Sequence, residues 1–270
     1  MTPQERLIAD HVRRWRTPGQ ALIVGVCGPQ ASGKTTACRH VADVLRGEGL
    51  RVAELSLDDL YLGRAARAEL AARIHPLFIT RGPPGTHDVK LGVDVIARLR
   101  AGESLALPRF SKGHDEPFPE AEWPLFEGPC DVMLFEGWCT GAAPLPDATL
   151  AEPVNDLERS EDPDGVWRRY WNDHLEGPTG ALFAGLDRLI QLRPQGFNVV
   201  YDWRCQQEHE LIAKAGQAGA PAAMSDAQVA RFIAHYQRMT EHILSEMPSR
   251  ADLVIELDAG RGVTGWKAAD

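Results

Sequence analysis

Gly28-Pro29-Gln30-Ala31-Ser32-Gly33-Lys34-Thr35 has the spacing GxxxxGK[ST], and residues of those types at that spacing carry a defined chemistry. The backbone N–H groups of such a loop turn inward on phosphate oxygens, and the helix that follows adds the positive end of its dipole. Gly28 and Gly33 permit the tight backbone course. Lys34 is placed for the β- and γ-phosphates and the Thr35 hydroxyl for magnesium, while Pro29, Gln30, Ala31, Ser32 and Thr36 complete the expected nucleotide cradle. The expected cofactors are therefore ATP and Mg2+.

Two acids stand at the ends of apolar runs further along the chain. Asp58, in Leu55-Ser-Leu-Asp58-Asp59-Leu-Tyr61, is placed to accept the proton of an acceptor hydroxyl or to help hold magnesium, with Tyr61 as a substrate contact. Asp59 reads as a helix cap. Glu136 closes Asp131-Val-Met-Leu-Phe-Glu136, the layout in which an acid orients magnesium or its water.

Cations and polar residues cluster in the segments between. The loop Arg81-Gly-Pro-Pro-Gly-Thr-His87-Asp88, preceded by His75, is rich in Gly and Pro and suits an anionic or polyhydroxylated acceptor. Arg109 and Lys112 add two positive charges in a second irregular segment, where they are placed to bind an acceptor carboxylate. Arg204, expected at the start of a helix near Trp203, is placed to fold over the phosphates, with Ala215 to Pro221 as a small-residue hinge.

These residues must be carried by regular elements, and the apolar pattern supplies them. Ala21 to Cys27, Val52 to Leu57 and Asp131 to Phe135 read as strands buried on both faces, with shorter strands at Arg188 to Leu192 and Leu253 to Leu257. Helices are expected at 3–16, 34–46, 64–73, 91–101, 165–176, 203–214 and 226–247, and a Pro- and Asp-rich linker at 142–164. Strands alternating with helices imply an α/β fold, a P-loop NTPase-type parallel sheet with helices on both faces and inserted acceptor-binding loops. Residues 1–270 read as a single kinase domain.

Composition narrows the function classes. A net charge of −9 argues against non-specific nucleic-acid or membrane binding. The five cysteines show no CxxC pair, which points to reduced thiols rather than a disulfide framework or zinc site. The charged N-terminus does not read as a signal peptide, so a cytoplasmic, soluble protein is expected.

Taken in order, GPQASGKTT, LSLDDLY, RGPPGTHDV, DVMLFEGW and VYDWRCQQE resemble the P-loop type D-glycerate 3-kinases, relatives of phosphoribulokinase, uridine kinase and bacterial pantothenate kinase. The resemblance covers roughly residues 20 to 257. It implies transfer of the ATP γ-phosphate to D-glycerate with magnesium, through Gly28 to Thr35, Asp58 and Glu136. One segment departs from the plant-type pattern: Ser111 stands where that pattern has Asp, and a Gly-Asp-Arg stretch before Trp123 is missing. A nucleoside, pantothenate or sugar-phosphate acceptor, or a P-loop ATPase switch acting on a partner protein, are the alternatives.

Overall fold

The computed structural model describes residues 1–215 and 224–269. The chain opens with α1 (Pro3–Trp15), started by a capping box in which Thr2 and Glu5 satisfy each other's backbone N–H. There follow β1 (Leu22–Cys27), α2 (Lys34–Gly47), β2 (Val52–Ser56), α3 (Arg64–Arg73) and α4 (Val89–Arg100). The irregular middle holds only two-residue strands, β3 (Leu105–Ala106), β4 (Phe110–Ser111), β5 (Glu116–Pro117) and β6 (Leu125–Phe126). Then come β7 (Val132–Gly137), α5 (Asp156–Glu161), α6 (Val166–Glu176), α7 (Pro178–Phe183), β8 (Arg188–Pro194), α8 (Asn198–Ala215), α9 (Asp226–Ala234), α10 (Gln237–Glu246), β9 (Leu253–Leu257) and β10 (Val263–Ala268).

Six strands form one sheet in the order β10-β9-β8-β1-β7-β2. Residues of β1 and β7 alternate between its faces, as a period of two requires. Ile23, Cys27, Met133 and Phe135 join an apolar core with α4, α6, α7 and α10. Leu22, Val24, Val26, Val132 and Leu134 join a second core with α1, α2 and Trp203 of α8. Covered on both faces, these strands are apolar as far as Glu136 near the end of β7, which is why they read so clearly in the sequence.

The structure corrects several expectations. The sheet is mixed: β10 runs antiparallel to β9, and its alternating, largely exposed residues gave no apolar run to find. The segment taken as a linker contains α5, capped by the Asn155 side chain on Glu158 N at 3.0 Å. The helix expected over 226–247 is two helices meeting near the buried Tyr236, with no Gly or Pro to mark the break. Helix α8 begins at Asn198, so Arg204 lies in its second turn rather than at its start. The expected hinge is Ala215 at the end of α8 followed by residues 216–221, and those six lie outside the described residues.

All five cysteines are free. No described helix is long and apolar enough to cross a membrane.

Candidate active site

Sheet register assembles the site. On β1, Cys27 pairs with Gly137 and Val26 with Glu136, while Ser56 at the end of β2 pairs with Glu136 from the other side. Three strand ends therefore lie side by side and release the phosphate loop, Glu136 and Asp58 on the carboxyl edge of the sheet, where open α/β sheets bind ligands. Gly33 is the N-cap of α2, with φ +84°, and has no side chain with which to cap it. The first-turn N–H groups of α2 thus remain for an anion. Gly28 serves close approach instead: a Cβ there would meet Ser32 Oγ at 2.9 Å and Leu192 Cβ at 3.1 Å.

Thr35 Oγ1 donates to Glu136 Oε1 at 2.8 Å, and Glu136 Oε2 is buried without a partner. Lys34 Nζ rests 3.5 Å from the Pro29 carbonyl, a weak contact that phosphate oxygens would replace. The predicted roles of Thr35, Glu136 and Lys34 therefore fall on neighbouring groups.

On the acceptor side, Lys112 Nζ lies 2.5 Å from Asp58 Oδ2. Burial alone would raise the Asp58 pKa, but Lys112, then Lys34 and the Tyr61 hydroxyl, hold its carboxyl below the usual carboxylate range. Asp59 behaves differently. It accepts from Ser56 N at 3.1 Å and Phe110 N at 3.2 Å, and burial raises its pKa against the pull of Arg109. Arg109 lies 3.5 Å from Asp59 and spends its guanidinium on the carbonyls of Pro108 and Glu54, at 2.8 and 3.3 Å. It fastens the irregular segment to β2, and this corrects the expectation of a cation held ready for the acceptor.

Arg81 is bound by Asp115, which also takes the buried Arg67 at 2.5 Å, and its guanidinium stands 5.6 Å from the Phe110 ring centre. The loop that carries Arg81 is fixed from beneath. Tyr236 donates to the Arg81 carbonyl at 3.0 Å, Trp138 Nε1 to the Gly82 carbonyl at 3.0 Å, and Thr86 Oγ1 to Pro83 O at 2.7 Å. Burial pushes the Tyr236 hydroxyl above its ordinary pKa, with Asp58 adding to the rise and Arg81 opposing it, so this ring lies in the field of both groups.

Two expected site residues, His75 and His87, are used otherwise. His75 caps a 3-10 turn, accepting from Leu77 N at 3.3 Å, and faces Asp162, the partner of the buried Arg168, at 3.8 Å. His87 is buried and stacks on Tyr61 at 4.7 Å between ring centres, with neither ring nitrogen bonded. Burial pulls its pKa down to about 4, so it is a neutral packing surface for Tyr61. His87 also lines a cavity of about 640 Å³ with Leu62, Tyr170 and His174. Arg204 is held by Glu208 and Gln207 on its own helix and stands 5.4 Å from the Phe232 ring centre.

Arg67, Asp115, Trp138 and Tyr236 were missed. Each reaches the site across a long sequence separation; Trp138 closes the DVMLFEGW stretch without a signal of its own, and the other three belong to no motif. Asp115 lies between Ser111 and Trp123, in the segment that departs from the plant-type pattern, and its φ of +57° is uncommon for a non-glycine residue.

No protein-family model matches the chain. Among curated proteins it is similar to the uncharacterized kinase mug58 of Schizosaccharomyces pombe, 31% identical over 244 residues that cover 87% of this chain and 85% of that one. It is 30% identical over 254 residues to the chloroplastic D-glycerate 3-kinase of Arabidopsis thaliana, covering 89% of this chain and 53% of the plant protein, about half its length. Among solved structures, the D-glycerate 3-kinase of Cryptococcus neoformans superposes with a TM-score of 0.80 at 27% identity, covering 100% of both chains.

Proposed function

This chain belongs to the D-glycerate 3-kinase family of P-loop kinases and is an ATP-dependent phosphotransferase, and we propose that its acceptor is D-glycerate and its product 3-phosphoglycerate. The observation that carries the reading is the pairing of Asp58 with Lys112 beside the Arg81 loop. A hydroxyl-accepting carboxylate next to cations suits an acceptor that carries both a hydroxyl and a carboxylate.

In this reading the acceptor hydroxyl oxygen bonds to the γ-phosphorus as the bond to the β–γ bridging oxygen breaks, and ADP leaves. Asp58 orients the hydroxyl and takes its proton. A carboxylate of depressed pKa is a weak base, which is sufficient when the proton leaves late and the transition state is loose. Lys34 and the free N–H groups of α2 take up the charge on the phosphates. Lys112 and Arg81 hold the acceptor carboxylate, in competition with Asp58 and Asp115.

Thr35 and Glu136 would hold magnesium. The buried, unpartnered Glu136 Oε2 beside the Thr35 hydroxyl is oxygen donor chemistry suited to a hard cation. Phosphate oxygens and water would complete the coordination of such an ion. Bound there, the ion would supply charge neutralisation on the phosphates.

Acceptor-dependent ADP release tests the substrate. With D-glycerate, uridine, pantothenate, ribulose 5-phosphate and no acceptor compared, D-glycerate should give the highest kcat/KM. A higher value for another acceptor would overturn the choice.

A further inference from the structure

We propose that Arg261, in the turn between β9 and β10, is a positioning residue for the phosphate-binding loop, holding the Ala31–Ser32 peptide in its anion-binding orientation and tying it to α8. The turn itself is closely bonded. Asp258 Oδ1 accepts from Gly260 N at 2.8 Å and Gly262 N at 2.7 Å, and Arg261 N donates to the Asp258 carbonyl at 3.0 Å. These bonds keep Arg261 at φ +68°, a conformation it would otherwise avoid.

From that base the side chain reaches three places. Arg261 Nε donates to the Ala31 carbonyl at 2.7 Å, and Nη1 to Gln206 Oε1 at 3.0 Å. The guanidinium stands 5.2 Å from the Trp203 ring centre, while Trp203 Nε1 donates to Ala259 O at 2.6 Å. One cation therefore joins the phosphate loop, α8 and the last hairpin, elements far apart in sequence.

The contact with Ala31 bears on function because of where it falls. Ala31 has φ +59°, which costs about 1 kcal/mol or more for an L-residue. Its carbonyl shares a peptide plane with Ser32 N–H, which donates back to the Pro29 carbonyl at 3.3 Å. The plane is thus pinned at both ends, its carbonyl by Arg261 and its N–H by the Pro29 carbonyl of the same loop. Without Arg261, a left-handed alanine is free to relax, and rotation of the plane would turn a carbonyl oxygen toward the phosphates. An inward carbonyl repels the anion that the loop exists to bind.

The test measures binding and uses no acceptor, so it stands apart from the identity of the acceptor. Titration calorimetry on the full chain compares ADP, tripolyphosphate and adenosine. Arg261→Ala should weaken ADP and tripolyphosphate by a similar factor, about tenfold or more, the scale for losing a hydrogen bond from a charged donor. Adenosine affinity should stay the same. Unchanged tripolyphosphate affinity would overturn the proposal, and loss of ADP alone would assign Arg261 to the base instead. Should Arg261→Ala fail to fold, Gln206→Ala at an exposed position reads the same tether: weaker tripolyphosphate binding supports it, and wild-type affinity overturns it.

Discussion

Asp58 and Lys112 define each other's chemistry at the scale of the residue. Because the Asp58 pKa is depressed, the group stays ionised at neutral pH and is protonated only as pH falls through that lowered value. The acid limb of kcat should therefore lie below the usual carboxylate range, which begins at roughly pH 4. Removing the ammonium leaves burial opposed only by weaker partners, so Lys112→Ala should move the acid limb to higher pH and raise the acceptor KM. A pH–rate profile checks this, and an unmoved limb would show that the contact does not govern Asp58. The residues Gly28 to Thr35, Asp58 and Glu136 were legible because a short spacing or a strand end marks each. Asp115, Arg67 and Arg261 were not, since their partners lie tens to hundreds of positions away. His87 looked polar on paper and proved to be packing, because nothing in Thr-His-Asp reveals that the ring turns onto Tyr61.

At the scale of elements, the Arg81–Asp88 loop depends on Tyr236, a residue at the break between α9 and α10. Gly82 has φ +139°, and a Cβ there would lie 2.3 Å from Tyr236 Oη. Gly82→Ala should therefore cost about 1–3 kcal/mol in stability, the range for overpacking, and raise the acceptor KM while the ATP KM holds. Denaturant melts and steady-state kinetics read the two effects; a wild-type acceptor KM would detach the loop from acceptor binding. Helix α8 gives a second prediction. Arg204 must leave Glu208 and Gln207 to reach a transferring phosphoryl group, so closure of α8 would exchange one partner for another. Arg204→Ala should lower kcat more than ATP affinity and raise the share of ATP lost to hydrolysis. If both stay the same, Arg204 only fastens α8. The central strands were readable from unbroken apolar runs, whereas β10 and α7 were not. The former is an exposed edge that alternates, and the latter spans only six residues.

Across the whole molecule, the carboxyl edge of one sheet gathers a phosphate cradle, two acids and a set of cations from strands and loops spread over most of the chain. The net charge of −9 would repel a small anion, so the acceptor must be drawn by that local cluster rather than by the protein as a whole. Alternation of strands and helices made this architecture legible, but not the pairing of every acceptor-side cation with a chain carboxylate. The most direct measurement follows the γ-phosphoryl group of labelled ATP into D-glycerate and into water, in the wild type and in Asp58→Asn. The wild type should send most of the label to 3-phosphoglycerate, and Asp58→Asn should lose this transfer by at least about a hundredfold while still binding ATP. Label released only to water by the wild type, or undiminished transfer by Asp58→Asn, would contradict the account.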